Sequence, residues 1–201
     1  MRRFAAGECA VLHLGAGVGQ SRCIKPMSLQ NPAAMPEPKP EATPLLEPID
    51  AVTLPASSEP FVVRDRFEKS PSITFATVWT EFKKRFYGLV ERPLSPITLR
   101  KYKLLRIAPD GPIIAELGGE SRVETTVAAA FSLLRIQGRG QDGILQTNGY
   151  ANIFYVRDLK AVLCAIRVGW DGDGWVVDAI PVKDPLAWNG KHEIFCPVHT
   201  P

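Results

Sequence analysis

Residues 152–182 read NIFYVRDLKAVLCAIRVGWDGDGWVVDAIPV, and this stretch decides the fold. It holds three apolar runs rich in β-branched and aromatic residues: Ile153–Val156, Val162–Trp170 and Trp175–Val182. Asp158-Leu-Lys160 separates the first two runs, and Asp171-Gly-Asp-Gly174 separates the last two. Short apolar runs broken by Asp and Gly turns predict an antiparallel meander of three strands.

Alternation in the second run predicts which side of that strand faces the core. Because side chains point to opposite faces with a period of two, the residues of this run fall into two sets. The larger, more apolar set is expected to face the core, and Pro181 is expected at a strand end or sheet edge because it cannot donate to a ladder. The core set is Val162, Cys164, Ile166, Val168 and Trp170, and the opposite set is Leu163, Ala165, Arg167 and Gly169.

Two segments upstream have helical spacing. The first is an amphipathic stripe that repeats every four residues and is ended by prolines. The second follows Ser121-Arg-Val-Glu124, which has the S-x-x-E form of a capping box, and stops near Gly138. The first stripe is Val78, Phe82, Phe86 and Val90, and the second is Val123, Val127, Ala130, Phe131 and Leu134.

Residues 95–117 fit two structures. One is a helix with Ser95 as its N-cap and Pro96 at its first position. The other is an extended run into Leu104–Ala108, a turn at Pro109-Asp-Gly-Pro112, and a return strand at Ile113–Leu117. The sequence favours neither.

Composition limits the class of protein. The chain has 201 residues, is 45% hydrophobic and 22% charged, and carries a formal net charge of +3. These values are typical of one folded domain with a tail, and the charge is too small to require a nucleic-acid partner. No apolar run approaches the ~20 residues of a membrane-spanning helix. Four cysteines without a disulfide-type spacing favour the cytoplasm.

The first sixty residues are predicted to lie outside the folded domain. Residues 1–26 fit either a targeting leader or an unstructured extension. Prolines then recur to Pro60, and too little apolar mass accompanies them to offset the conformational entropy of folding. This Pro-rich arm is expected to be disordered, either as a spacer or as an arm that binds a partner through Leu45, Leu46 and Ile49.

Residues 77–106 carry a basic segment and a family resemblance. The helix-forming stripe followed by Leu94-Ser-Pro-Ile-Thr-Leu-Arg-Lys-Tyr102 resembles the core-binding DNA-binding segment of tyrosine recombinases. The resemblance implies a helix that lies against DNA, but the catalytic residues of that family have no counterpart after residue 120. Seven basic side chains could then contact phosphates: Lys83, Lys84, Arg85, Arg100, Lys101, Lys103 and Arg106.

The C-terminus offers one candidate metal site. His192, Cys196 and His199 form an H-x3-C-x2-H cluster of residue types that zinc favours, and Cys164 is the nearest candidate for a fourth ligand. The same residues also fit a terminal strand from His192 to Cys196. No other cofactor is predicted.

Three tryptophans near the hairpin offer a candidate aromatic surface for a partner. Trp170, Trp175 and Trp188 fit either an exposed platform or cross-strand packing in the core. Residues 152–195, through Trp170-Asp-Gly-Asp-Gly-Trp-Val176 and Asp184-Pro-Leu-Ala-Trp188, resemble a C-terminal segment of uncharacterised proteins from uncultured bacteria. That resemblance implies a small β module and attaches no activity to it.

Together the patterns predict one α+β domain over residues 61–199, in which a small antiparallel meander of about three to five strands packs against one or two helices. Residues 1–60 precede it as a disordered leader and arm. The predicted function is a non-catalytic binding or structural protein that acts through contacts with another protein, whose identity the sequence does not indicate. The alternatives are a DNA- or RNA-binding protein that uses segment 83–106, and a zinc-dependent enzyme or zinc-stabilised module at the C-terminus.

Overall fold

A computed structural model of the protein describes residues 43–199. They form an α+β domain with eleven strands and five short helices. The strands are β1 (Leu46–Leu54), β2 (Phe61–Val62), β3 (Phe75–Val78), β4 (Val90–Glu91), β5 (Ile97–Leu104), β6 (Ala108–Pro109), β7 (Asn152–Arg157), β8 (Leu163–Trp170), β9 (Trp175–Pro181), β10 (Ala187–Trp188) and β11 (Glu193–Pro197). The helices are α1 (Val63–Glu68), α2 (Thr80–Phe86), α3 (Asp110–Glu116), α4 (Glu120–Val123) and α5 (Val127–Ile136).

Seven strands form the main sheet, in the order β1-β5-β11-β7-β8-β9-β3. The predicted meander is confirmed as β7, β8 and β9, which pair antiparallel. Asp171 closes the second turn, where its Oδ1 accepts hydrogen bonds from the amides of Asp173 and Gly174, each 3.0 Å long. The expected three to five strands are an underestimate. Strand β11 inserts between β5 and β7 and runs parallel to β7, so the sheet is mixed.

Both faces of the sheet are buried. On β8, Cys164, Ile166 and Val168 belong to one core cluster, which also contains the apolar sides of α1, α2 and α5. Leu163 and Ala165 belong to a second cluster with residues of α3 and α4. The predicted core set therefore faces this core, whereas in the opposite set Leu163 and Ala165 are buried, Gly169 is half-buried and Arg167 is exposed. A strand covered on both faces needs apolar residues at nearly every position, which explains the weak alternation of β7 and β9.

Strand β1 corrects the prediction that residues 1–60 are disordered. It pairs antiparallel with β5 along its whole length, and its end residues Leu46 and Leu54 are buried. The carboxylate of Glu116 accepts hydrogen bonds from the amides of Leu45 and Leu46 at 2.9–3.0 Å and fixes the start of the strand. A local composition argument misses this strand because its partner, β5, lies about fifty residues away in sequence. The predicted leader and the arm up to residue 42 lie outside the described residues.

Residues 95–117 match neither prediction in full. Ile97–Leu104 is strand β5, so the helix over this segment, including the helix implied by the recombinase resemblance, is wrong. The return strand is also wrong, because Asp110–Glu116 forms helix α3. Pro112 sits in the first turn of that helix, where its missing amide hydrogen costs no helical bond. Strand β5 is extended because it pairs with β1 on one side and β11 on the other.

Helix α5 starts later than the capping box predicts. Its N-cap is Thr126, whose Oγ1 accepts a hydrogen bond from the amide of Ala129 at 3.1 Å. The amides of Val127 and Ala128 donate to the carboxylate of Glu91 at 2.8 and 2.7 Å, so a side chain from another element satisfies the first turn. Ser121 and Glu124 of the predicted box instead lie in and beside α4.

Within residues 43–199 no helix is long and apolar enough to cross a membrane.

Candidate functional site

An open groove of about 830 Å³ lies between α1, α5 and the loop before β2. One wall is the loop 56–60, the other is the outer side of α1 with the loop 70–72, and α5 forms the floor. We call it the serine-rich groove because Ser57, Ser58, Ser70, Ser72 and Ser132 line it. Its volume lies in the range of pockets that hold small ligands and short peptide segments.

The floor of the serine-rich groove is held rigid by the aromatic core beneath it. Phe131 of α5 packs edge-on against Phe61 and Phe67, with ring centroids 5.3 and 5.2 Å apart. All three rings are buried, so they support the surface above them and hold α5 against α1. A surface on a packed aromatic base changes little when a ligand arrives, which favours binding.

Four charged side chains at the rim of the groove form ion pairs, and a fifth does not. Arg66 pairs with Glu59 at 3.5 Å and Lys69 with Asp65 at 2.8 Å, and all four side chains are largely exposed. Exposed pairs contribute only ~0–1 kcal/mol, so they can exchange partners at little cost. Arg135 has no hydrogen bond or ion pair with any residue from 43 to 199. Its guanidinium is therefore the cation most available to a ligand in this groove.

A buried polar network lies on the opposite face of the sheet, where it ties α3, β7 and β10 together. Asp110 is 1% exposed, and its Oδ1 accepts hydrogen bonds from the Tyr155 hydroxyl and the Trp188 indole, both 2.7 Å long. Its Oδ2 is buried with no partner in the described part of the chain. Desolvation raises the pKa of Asp110, and the two hydrogen bonds oppose that rise. The network joins three elements through two short hydrogen bonds, so its role is structural.

The two described cysteines are unsuited to nucleophilic chemistry. Burial raises the pKa of Cys164 to about 11, even though Arg85 lies nearby. Burial likewise raises the pKa of Cys196 to about 11. A thiol with such a pKa is almost entirely protonated at neutral pH, whereas the thiolate is the reactive form.

The predicted zinc ligands do not come together. Cys164 and Cys196 belong to the core clusters on opposite faces of the sheet. His192 accepts a hydrogen bond from the Ala151 amide at 2.8 Å through Nδ1, and His199 lies 3.0 Å from the Arg122 carbonyl oxygen through Nε2. No group of metal-binding side chains occurs in the described ranges. The terminal strand is the better interpretation, since β11 spans Glu193–Pro197.

The seven basic residues of segment 83–106 are also dispersed. Three lie on α2, which packs on β9, and three lie on β5, four strand positions away and therefore ~19 Å across the sheet. Alternation along β5 places Arg100 on the opposite face from Lys101 and Lys103. The sheet thus divides a cluster that is continuous in sequence.

Most of these basic side chains already have partners. Arg85 pairs with the buried Asp158 at 2.9 Å, and Lys84 pairs with Glu81 at 2.8 Å. Lys101 pairs with Glu193 at 3.3 Å and donates to a carbonyl oxygen. Arg106 donates to the Thr43 carbonyl oxygen at 2.7 Å. Only three of the seven, Lys83, Arg100 and Lys103, form no ion pair or hydrogen bond in the described part of the chain. Nucleic-acid binding remains a prediction, with fewer contacts available than the sequence suggests.

The predicted partner-binding side chains are mostly internal. Trp175 is fully buried and donates to the Gln137 carbonyl oxygen at 2.8 Å, and Trp188 belongs to the Asp110 network. Trp170 is half-buried, with its ring edge-on to Trp175 at 5.3 Å. These tryptophans therefore form no exposed platform. Leu45 and Leu46 pack in the second core cluster, and of the three predicted arm anchors only Ile49 is exposed.

Sequence patterns gave no sign of the serine-rich groove. Its walls come from residues 56–72 and its floor from residues 128–135, and those residues are common on surfaces. Nor did any pattern predict the burial of Asp110, which lies in a Pro-Asp-Gly-Pro run that is typical of a turn.

Comparison with protein-family models, curated proteins and solved structures finds no match to this chain.

Proposed function

We propose that this protein is a non-catalytic binding protein that holds a segment of another protein in the serine-rich groove. The observation that carries the proposal is the combination of an open groove, a rigid floor and an uncompensated arginine at its rim. Binding surfaces between proteins are enriched in arginine and rest on well-packed supports.

The chemistry of the other ionisable groups supports binding rather than catalysis. The buried carboxylates of Asp110 and Asp158 and the half-buried carboxylate of Glu91 all accept hydrogen bonds that hold secondary structure in place. The two cysteines are held as thiols by burial. Each of these groups therefore has a structural role, and none of them lines the serine-rich groove.

The groove suits an extended segment that carries an acidic group. The Ser58 hydroxyl makes no hydrogen bond within residues 43–199, and the Ser70–Ser72 pair leaves one O–H free, so both walls can bond a peptide backbone. Arg135 can make a bidentate bond to a carboxylate of the segment, which places that carboxylate near the end of α5. Loss of such an anchor typically weakens binding by ~1–2 kcal/mol, which is about a tenfold change in Kd.

Site-directed photocrosslinking in the native host tests this function. A photoreactive residue replaces Ser58 in the full chain, and crosslinked proteins are identified by mass spectrometry with and without Ser132→Trp, which fills the groove. Ser121→Trp is the matched control, because Ser121 is an exposed helical serine on α4, outside the groove. We expect one partner to crosslink in the control and to be lost in Ser132→Trp.

The purified partner then gives the affinity. Arg135→Ala should raise its Kd about tenfold, and Arg139→Ala, an exposed arginine next to the same helix, should leave it unchanged. Identical crosslinks in the two tryptophan variants, or equal effects of the two alanine changes, would contradict the proposal.

A further inference from the structure

One edge of the main sheet carries neither charge nor proline. Strand β3 ends the sheet, and no strand within residues 43–199 pairs with its outer side. No charged residue occurs between Lys69 and Glu81. Ala76, Thr77 and Trp79 are exposed, and Trp79 is 54% exposed. An uncharged strand of β-branched and aromatic residues is a template for pairing with another strand.

The opposite edge of the same sheet is protected. Strand β1 carries Glu47 and Asp50 on its exposed positions and Pro48, which has no amide hydrogen to offer, between them. Charge and proline are the common means by which proteins prevent edge-to-edge association. Both edges contain a register shift, so that feature does not distinguish them. The two edges differ in that β1 carries charged residues and a proline, whereas β3 carries neither.

We propose that β3 is a self-association edge, where it pairs antiparallel with β3 of a second copy of this chain and continues the sheet across a twofold axis. A second copy fits because the strand is uncharged and does not repel itself, and because an isologous contact needs only one self-complementary surface. Neighbouring pairs in an antiparallel ladder alternate between hydrogen-bonded and non-hydrogen-bonded. A twofold axis therefore requires one residue to face its own copy.

Thr77 is the residue best placed on that axis. It is exposed, it lies within the four-residue strand, and threonine pairs across strands are favourable. With Thr77 opposite its own copy, each Trp79 lies over the start of the other β3 and loses exposed aromatic surface. A strand of four residues makes a small interface, so the association is weak and reversible.

Sedimentation velocity of the full chain across micromolar to submillimolar concentrations tests the proposal. Thr77→Lys places two lysines opposite each other and should weaken self-association at least about tenfold. Thr53→Lys is the matched control, because it puts the same exposed charge on the other edge strand, and it should change Kd less than about twofold. Circular dichroism of both variants verifies that they remain folded.

Hydrogen exchange supplies a second measurement on the unaltered protein. The amides of β3 should exchange more slowly as the protein concentration rises, while those of β1 should not change. A monomer at all concentrations would overturn the proposal, as would equal weakening by the two lysines or β3 protection independent of concentration.

Discussion

Tyr155→Phe should destabilise the protein in a pH-dependent way, because it removes one of the two donors to a buried carboxylate. The Tyr155 hydroxyl donates to Asp110 at 2.7 Å, and both residues are almost inaccessible to solvent. A hydrogen bond to a charged group contributes ~1.5–3 kcal/mol, whereas one to a neutral group contributes ~0.5–1.5 kcal/mol. The loss should therefore be about 2 kcal/mol when Asp110 is ionised and about 1 kcal/mol when it is protonated.

The direction of the pH effect follows from the pKa of Asp110. Desolvation raises this pKa above the ordinary value of 3.8, so the folded state binds the proton more tightly than the unfolded state. Asp110 thus contributes more stability below 3.8, and that contribution is lost as the pH rises through the folded pKa. Removal of the Tyr155 donor raises the pKa of Asp110 in the folded state further. As the pH rises from 3.8 towards neutrality, the variant should therefore lose more stability than the wild type.

Urea denaturation followed by circular dichroism, at pH values from about 3.5 to 7, gives the free energy of unfolding at each pH. Tyr87→Phe is the matched control, because the Tyr87 hydroxyl makes no hydrogen bond within the described residues; it should cost less than ~0.5 kcal/mol at every pH. If the cost of Tyr155→Phe were the same at both ends of the pH range, or no larger than the control, the network would not have the energetic role argued for it.

Three further outcomes follow from the contacts. Gly138→Ala should lower the free energy of unfolding by more than ~2 kcal/mol, since its methyl group would overlap a backbone carbonyl oxygen, while Gly111→Ala, which meets open space, should have little effect in the same urea titration. Arg85→Met should cost ~2–4 kcal/mol at neutral pH, because it leaves Asp158 buried without its cation, and the loss should shrink below pH 3.8 as that carboxylate protonates. If segment 83–106 binds DNA, about three available cations predict a slope of about −2.7 in log K against log salt, whereas a measured slope near −6.3 would mean that all seven bind phosphates.

The parts of the fold that could be predicted are those that form between neighbours in sequence. Strands β7, β8 and β9 follow one another through short turns, so apolar runs and Asp/Gly signals define them. Strand β1 is paired with β5, and β5 with β11, across separations of tens of residues. The local sequence of a proline-rich segment does not predict such pairing. The Thr-Leu-Arg-Lys run of β5 fits a helix as well as a strand.

The candidate site was beyond prediction for a related reason. Side chains with a strong sequence signature, such as His192, Cys196 and the tryptophans, satisfy structural roles in the fold. The serine-rich groove is assembled instead from ordinary residues that three separate segments bring together. A binding surface without metal ligands or a nucleophile leaves no spacing rule to detect.

Strand β11 makes the two halves of the sheet depend on each other. It lies between β5 and β7, so within the sheet β1 and β5 are joined to the meander only through β11. Phe195 of β11 stacks on Phe154 of β7 with ring centroids 4.9 Å apart, and both rings are fully buried. The meander therefore has no complete core until the C-terminal strand is in place, and the groove floor on α5 rests on that same core. Binding at the groove and pairing at the β3 edge both require this closure, so each should be lost together with cooperative unfolding and not before it.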